Sequence, residues 1–146
     1  MKIALGCDHG GYALKQEVIR YLDGRGMEWE DFGCYSEASC DYPDFGRAAA
    51  EAVASGKCDR GIVICTTGIG ISIVANKVKG IRCALCADSV SAGLTRAHND
   101  ANMLAMGAGI IGKNLALGIV EAFLDTPFSG EEKHARRVGK ITELEA

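Results

Sequence analysis

The segment 65–70 combines a thiol with a turn that is suited to holding an anion. It follows an apolar stretch and reads Cys65, Thr66, Thr67, Gly68, Ile69, Gly70. In a glycine-rich turn that opens a helix, backbone N–H groups converge on an anion and the helix N-terminus adds positive potential. The same field stabilises a thiolate. A thiolate in this setting suits proton abstraction beside a carbonyl, because the resulting enediolate is an oxyanion.

The same segment also fits a purely structural role. Cysteine is often a small buried apolar residue, and a tight turn after a strand needs glycine for its geometry. The glycines match neither a Walker A loop, since no Gly-Lys-Ser/Thr follows, nor a dinucleotide-binding fingerprint. From this segment alone, both the catalytic and the structural interpretation of Cys65 stay open.

Two further polar groups could act with this thiol. Asp8 and His9 end the first apolar stretch, where such a pair can bind sugar hydroxyls or move protons. The structural alternative is that Asp8 caps the next helix and His9 is a histidine with satisfied hydrogen bonds. His98 and Asn99 end a helical stretch, where His98 is either a proton donor or a residue favoured by the helix dipole.

A basic cluster at 133–137 stands out in an otherwise acidic chain. Lys133 and Arg137 are four residues apart, so they share one face of a helix. Two cations on one face can clamp a phosphate, whereas the alternative is a solvated tail.

Cys83 and Cys86 have the spacing of a redox or zinc motif. We discount this motif because it lies within an apolar strand, where alternate residues face opposite sides of the sheet. A metal site built from Asp8, His9 and His98 is not supported by any ligand-spacing motif.

The elements that position these residues follow from the apolar pattern, which alternates between strands and helices. Strands are predicted at residues 2–7, 29–32, 61–65, 81–86 and 103–106, and helices at 12–23, 43–54, 69–78, 88–98, 115–124 and in the tail at 131–146. This alternation predicts an α/β fold: a doubly wound (Rossmann-like) five-stranded parallel sheet with helices on both faces. Ligands bind at the carboxyl ends of such strands, which places Asp8, His9, Cys65 and Thr67 at one edge.

Composition narrows the class of protein. The chain has 146 residues, 48% of them hydrophobic, which predicts one domain over residues 1–146. A net charge of −3 gives no general attraction to nucleic acid or to anionic membranes. We expect no transmembrane helix and no signal peptide, since the apolar runs are too short. Seven cysteines, an odd count without a secretion signal, favour reduced thiols in the cytoplasm.

Taken together, these motifs resemble the ribose-5-phosphate isomerase B / galactose-6-phosphate isomerase family nearly end to end. The resemblance is carried by Asp8-His9-Gly10-Gly11, Asp31-Phe32-Gly33, Asp41-Tyr42-Pro43-Asp44, Cys65 with Thr67-Gly68-Ile69-Gly70, Ala75-Asn76-Lys77, His98-Asn99-Asp100-Ala101-Asn102 and His134-Ala135-Arg136-Arg137-Val138. It implies an aldose–ketose isomerase that interconverts D-ribose 5-phosphate and D-ribulose 5-phosphate through an enediolate. Allose 6-phosphate, galactose 6-phosphate and a tetrose phosphate are the alternative substrates.

The resemblance also implies the catalytic roles. Cys65 is the base that moves the proton between C1 and C2. Thr67 and the backbone amides of residues 68–70 hold the enediolate oxygens. His98 opens the sugar ring as proton donor, helped by Asp8.

The resemblance implies that some of the substrate-binding residues act across a subunit interface. His9 and Asn99 bind substrate, and Lys133 and Arg137 hold the phosphate. The full predicted set of substrate-binding residues is Asp8, His9, Thr66, Thr67, Gly68, Ile69, Gly70, Asn99, Lys133 and Arg137. The family is free of cofactors and metals and forms a homodimer or tetramer with shared active sites, so His98 and Asn99 are expected to act across an interface from Cys65.

Three residues depart from the family pattern. Thr66 stands where Gly is usual, which is expected to narrow the pocket or to add a hydroxyl. Gly109 stands where Arg is frequent, which removes one phosphate cation and leaves space for a longer sugar. Lys133 replaces an Arg and offers a point charge in place of a planar fork. These departures bear on the substrate and its affinity more than on the reaction type.

Two other classes of function compete with the isomerase. A non-catalytic module that binds sugar phosphates or nucleotides predicts that Cys65→Ala leaves the biological role intact. A thiol redox protein predicts that Cys83 and Cys86 are both accessible.

Overall fold

The computed structural model describes residues 1–146, and strands and helices alternate along it. The elements are β1 (Lys2–Cys7), α1 (Tyr12–Gly24), β2 (Glu28–Asp31), α2 (Tyr42–Ala54), β3 (Arg60–Cys65), α3 (Ile69–Asn76), β4 (Cys83–Leu85), α4 (Ser89–Asn99), β5 (Met103–Gly107), α5 (Lys113–Asp125) and α6 (Glu132–Glu143). None of the helices combines the length and the apolarity needed to cross a bilayer.

All five strands run parallel in one sheet with the order β2-β1-β3-β5-β4. Cys7 pairs with Ile64, and Cys65 pairs with Gly107, so the carboxyl ends of β1, β3 and β5 meet at one edge. We call this edge the rim and the opposite one, where the strands begin, the far edge. The chain turns outward in opposite directions after β1 and after β3, which makes their boundary the topological switch point. The predicted fold class is confirmed.

Helices cover both faces of the sheet, which explains why β3 is apolar throughout. Ile62 and Ile64 face the core beneath α1, α4 and α5, whereas Val63 and Cys65 face α2 and α3. Alternate residues of a strand point to opposite faces, so a strand covered on both sides needs apolar residues at every position. This burial fixes β3 in the sheet and with it the position of Cys65.

Two predicted element ends are wrong, and both lie beside β4. The strand predicted at 81–86 is shorter, because the amide of Ile81 donates to the Val78 carbonyl (3.2 Å) in a turn. The helix predicted to reach residue 78 ends at Asn76, since the last amides bond three residues back and tighten the chain. Smaller shifts occur at β2, which comprises Glu28–Asp31, and at Asp88, which caps α4 by accepting from the Ser91 amide (2.7 Å).

β4 is an edge strand whose outer side bonds to a side chain. The amide of Cys83 donates to Asn76 Oδ1 (2.8 Å), and Asn76 Nδ2 donates to the Cys83 carbonyl (2.9 Å). Asn76 thus uses the positions that a further strand would use. Its side chain also ties the end of α3 to the start of β4.

The two cysteines of the redox hypothesis face opposite sides of the sheet. Cys86 belongs to the core beneath α1, α4 and α5, whereas Cys83 packs against the core beneath α2 and α3. Burial raises the pKa of Cys86 to about 11 and that of Cys83 to about 12. A disulfide needs Cβ atoms about 4 Å apart, which opposite faces of a sheet do not allow. The redox hypothesis for this pair is therefore wrong.

Candidate active site

Cys65 ends β3 at the rim and lies in the wall of a pocket of about 360 Å³. The pocket is lined by Asp8, Tyr42, Cys65, Thr66, Thr67, Ile69 and Gly70. Two larger concavities exist, one at the far edge and one between α2 and α3. Only the pocket at the rim combines a thiol with the strand ends at the switch point, so we take it as the candidate active site.

The turn after Cys65 requires a glycine at its centre. Gly68 is the N-cap of α3 with φ of 76°, a left-handed conformation that favours glycine. A Cβ built there would also lie 2.6 Å from Leu85 Cδ1 and 2.7 Å from the Met106 carbonyl carbon. The conformation turns the Gly68 N–H back toward β3, where it donates to Cys65 Sγ (3.1 Å). An N–H donor at this distance stabilises negative charge on the sulfur.

Further donors surround the pocket beside the thiol. The amide of Ile69 donates to Thr67 Oγ1 (3.2 Å), which fixes the Thr67 side chain. The next amides of α3 begin the helix and have no intrahelical acceptor, as is general for a first turn. Together with the helix dipole, they make this wall favourable for an oxyanion.

Tyr42 is a pocket residue to which sequence analysis assigned no role. A Cβ on Gly70 would lie 2.7 Å from the Tyr42 ring, so the ring packs directly over the first turn of α3. The only sequence signal was its place in the motif 41–44. Because α2 and α3 meet only in the folded chain, the sequence pattern could not bring this ring to the pocket.

Asp8 and His9 lie at the carboxyl end of β1. Asp8 is buried, and its Oδ1 accepts from the Gly11 amide (3.1 Å). The capping alternative is not met, because Gly11 is itself the N-cap of α1 and no side chain caps this helix. Its Oδ2 has no protein partner and remains available at the pocket wall. His9 is exposed, and the Cys40 amide donates to its Nδ1 (3.3 Å), so neutral His9 carries its proton on Nε2.

His98 and Asn99 lie at the far edge, away from the pocket. The Arg82 side chain donates to the carbonyls of Asn99 and Asp100 (2.9 Å each), just before β4 begins. The Gly61 amide donates to the Asn102 carbonyl (3.0 Å) near the start of β3. At about 3.3 Å per residue, the length of β3 places this end roughly 16 Å from Cys65.

The basic cluster lies at the same far edge. The ring of His134 on α6 stacks on His98, with 4.3 Å between ring centroids and an interplanar angle of 12°. Burial, and then the neighbouring His98, lower the pKa of His134. Lys133 and Arg137 are exposed on α6, and only Lys133 has an acidic partner, Glu131 at 3.7 Å.

One chain therefore brings together only part of the predicted site. Asp8 and residues 65–70 form one group at the rim, and His9 lies on the same edge. His98, Asn99, Lys133 and Arg137 form a second group on the opposite edge. No three His, Cys, Asp or Glu side chains are grouped in a way that could hold a metal ion.

Comparison with known proteins identifies the family. Residues 3–141 match the ribose/galactose isomerase family. The chain belongs to this family. It is 48% identical over 144 residues to ribose-5-phosphate isomerase B of Escherichia coli, covering 99% of this chain and 96% of the relative. It is 40% identical over 144 residues to the galactose-6-phosphate isomerase subunit LacB of Clostridium acetobutylicum, covering 99% and 83%.

Solved structures of the ribose/galactose isomerase family have the same fold. Ribose-5-phosphate isomerase B of Clostridium thermocellum is 58% identical with a TM-score of 0.97, covering 99% of this chain and 97% of that one. The enzyme of Mycoplasma genitalium, whose structure holds ribulose-5-phosphate, is 36% identical with a TM-score of 0.94, covering 99% and 95%. The predicted family and the predicted class of enzyme, a sugar-phosphate isomerase, are confirmed.

Proposed function

We propose that the protein interconverts D-ribose 5-phosphate and D-ribulose 5-phosphate, with Cys65 as the base. The observation that carries the proposal is the Gly68 N–H, which donates to Cys65 Sγ (3.1 Å) inside the pocket at the rim. A thiolate held in this way faces the donors that an enediolate needs. The choice of pentose is supported by the relatives named ribose-5-phosphate isomerase B.

The reaction needs no redox partner. The thiolate of Cys65 takes the proton from C2 of the open-chain aldose, and the electron pair of that bond forms the C1–C2 double bond. The carbonyl electrons move to O1, where the amides beside Thr67 stabilise the charge. The thiol then returns the proton to C1 while a proton passes from O2 to O1. The C2–H bond is exchanged for a C1–H bond, and ribulose 5-phosphate results.

Ring opening and phosphate binding are assigned to a second subunit. His98, Lys133 and Arg137 lie at the far edge, about the length of β3 away from Cys65. We therefore place His98, as ring-opening acid, and the two cations in the active site of a partner copy within a homodimer or tetramer. Asp8 assists from the rim, through the oxygen that has no protein partner.

Exposed apolar side chains provide a surface for this assembly. Ile69 and Ile73 share one face of α3, and Val90 and Leu94 share one face of α4. Their exposures are 52%, 55%, 69% and 48%, which is high for residues of this type. Ile69 also lines the pocket, so an interface here would close the active site. All seven cysteines are free thiols, which fits a cytoplasmic enzyme.

The close alternative is the same chemistry on another sugar phosphate. It is favoured by the likeness to the galactose-6-phosphate isomerase subunit and by the residues that depart from the family pattern, Thr66 and Gly109. Turnover of the purified enzyme on the 5- or 6-phosphates of ribose, allose and galactose and on a tetrose phosphate separates these candidates. We expect the highest kcat/KM on ribose 5-phosphate. Absence of turnover on every member of the panel would contradict both candidates.

A further inference from the structure

The side chain of Thr66 lies between two loops of the rim, and each of its branches meets a glycine. A Cβ built on Gly10, in the loop after β1, would lie 2.2 Å from Thr66 Oγ1. A Cβ built on Gly109, in the turn after β5, would lie 3.0 Å from Thr66 Cγ2. Neither glycine has a positive φ, so close approach to Thr66, and not backbone conformation, opposes a larger residue, strongly at Gly10 and more weakly at Gly109.

Thr66 is held in place by its backbone and not by its hydroxyl. The Gly109 amide donates to the Thr66 carbonyl (2.8 Å), which anchors the residue beside the last pair of the sheet. Its hydroxyl takes part in no hydrogen bond within the protein, in contrast to that of Thr67, which accepts from Ile69. Thr66 is exposed, so its side chain contributes by its shape over the gap between the two loops and not by a hydrogen bond.

This gap adjoins the pocket that holds Cys65. Thr66 lines that pocket, whereas neither glycine does. Removing the Thr66 side chain would join the pocket to the space above Gly10 and Gly109 without breaking a hydrogen bond. Other wall residues offer no such opening, because Asp8 is bonded to Gly11 and Tyr42 packs on Gly70.

We propose that Thr66 is the specificity-determining wall of the pocket: its two branches close the space over Gly10 and Gly109 and so limit the length of the sugar phosphate. The inference rests on the proposed isomerase function and adds to it which residue selects the substrate. A wall that excludes one CHOH unit is worth about 10- to 200-fold in kcat/KM, the usual discrimination for a group of this size.

The test compares Thr66→Gly with its shape-preserving control, Thr66→Val. The ratio of kcat/KM for allose 6-phosphate, an aldose one carbon longer, to that for ribose 5-phosphate is measured for each variant. We expect Thr66→Gly to raise this ratio by about tenfold or more, and Thr66→Val to keep it within about twofold. An unchanged ratio in Thr66→Gly overturns the proposal, and so does an equal change in both variants, which would assign the effect to the hydroxyl.

A second measurement tests the contact without relying on turnover. Gly10→Ala should lower the melting temperature, because its Cβ meets Thr66 Oγ1, and should do so much less in a Thr66→Gly background. Equal losses in both backgrounds overturn the proposed contact. If the wild-type protein turns over no sugar phosphate, the proposed function fails, whereas this double-mutant comparison still decides whether Thr66 requires Gly10.

Discussion

The rim and the far edge of the sheet are built from different chemical groups. At the rim, the Gly68 N–H donates to Cys65 Sγ, and the next amides of α3 have no intrahelical acceptor. At the far edge, long side chains take up the backbone groups: Arg82 binds the carbonyls of Asn99 and Asp100, and Arg96 binds the Ala101 carbonyl (2.7 Å). The rim offers free backbone donors, whereas at the far edge Arg82 and Arg96 fix the chain and most side chains of α6 stay exposed.

This difference bears on the proposal that the active site is shared between two copies of the chain. Backbone amides stabilise an oxyanion, but they do not exchange protons near neutral pH, whereas imidazole does. The stacked histidines His98 and His134 and the cations of α6 lie at the far edge, whereas the thiol and His9 lie at the rim. The proposed site combines the rim of one copy with the far edge of another, and the predictions below test that division.

The largest effect is expected at the rim itself. Cys65→Ala removes the base, and we expect kcat/KM on ribose 5-phosphate to fall about 10³-fold, within the range usual for a general base. The control is Cys58→Ala, a buried cysteine in the core beneath α2 and α3, which should keep its kcat/KM. Retention of activity within about tenfold in Cys65→Ala would exclude the thiol as the base.

Mixing two inactive variants tests whether the two edges act in different subunits. Cys65→Ala and His98→Asn are each expected to be nearly inactive as pure proteins. In mixed dimers formed at equal amounts, half of the dimers are hybrids, and each hybrid regains one intact site. Activity should then reach about one quarter of the wild-type value. A mixture no more active than its components would show that both residues serve the same subunit.

The side-chain network of the far edge should carry much of the local stability. Arg96 is buried and donates to Asp100 Oδ1 (2.8 Å), the Ala101 carbonyl (2.7 Å) and the Thr126 carbonyl (3.2 Å). Arg96→Met leaves these acceptors unpaired, so we expect the free energy of unfolding to fall by about 3 kcal/mol in urea titrations.

The matched control is Arg136→Met on α6. Arg136 pairs with Glu132, but both side chains are largely exposed, at 51% and 77%. We expect this change to cost about 0.5 kcal/mol or less. Equal losses of unfolding free energy in the two variants would mean that the buried hydrogen bonds of Arg96 stabilise the protein no more than an exposed ion pair does.

The smallest predicted effect is the pH dependence at the stacked histidines. Burial, His98, Lys133 and Arg137 lower the pKa of His134, and Glu131 opposes them. As the pH falls below the ordinary pKa of 6.5, the unfolded chain therefore takes up a proton before the folded chain does. Stability should fall in this range and be unaffected above it. We expect the melting temperature to decline less for His134→Gln than for wild type between about pH 7 and about pH 5.5. If the melting temperatures of wild type and His134→Gln decline equally, His134 is not the source of the pH dependence.

Much of the rim was predictable from the sequence. The apolar stretch 61–65 had to be a covered strand, and parallel strands place their following turns at one edge, which brought Cys65 close to Asp8. The glycine turn after it carried the prediction of an anion site, and Gly68 has the left-handed conformation that such a turn needs. These inferences rest on local pattern and on one rule of topology.

The remaining features depend on packing between distant segments. The order in which β5 inserts between β3 and β4 is not encoded in any local pattern. The place of His98 at the far edge follows instead from the alternation itself, because the helix before a parallel strand ends at the edge where that strand begins. Sequence analysis singled out Thr66 and Gly109 as separate departures, but only the folded rim shows that they touch each other. The strand predicted at 81–86 was too long, because the largely apolar stretch extends beyond the three residues of β4 that pair with a neighbouring strand.

The amide side chain of Asn76 has a further consequence for the behaviour of the protein in solution. A parallel sheet with an open edge strand is a template for adding strands from other molecules, which leads to aggregation. By occupying both the N–H and the C=O of Cys83, Asn76 leaves the three-residue β4 with little free edge on which such growth could begin. The edge on which Leu85 leaves apolar surface exposed therefore offers fewer backbone partners for such growth.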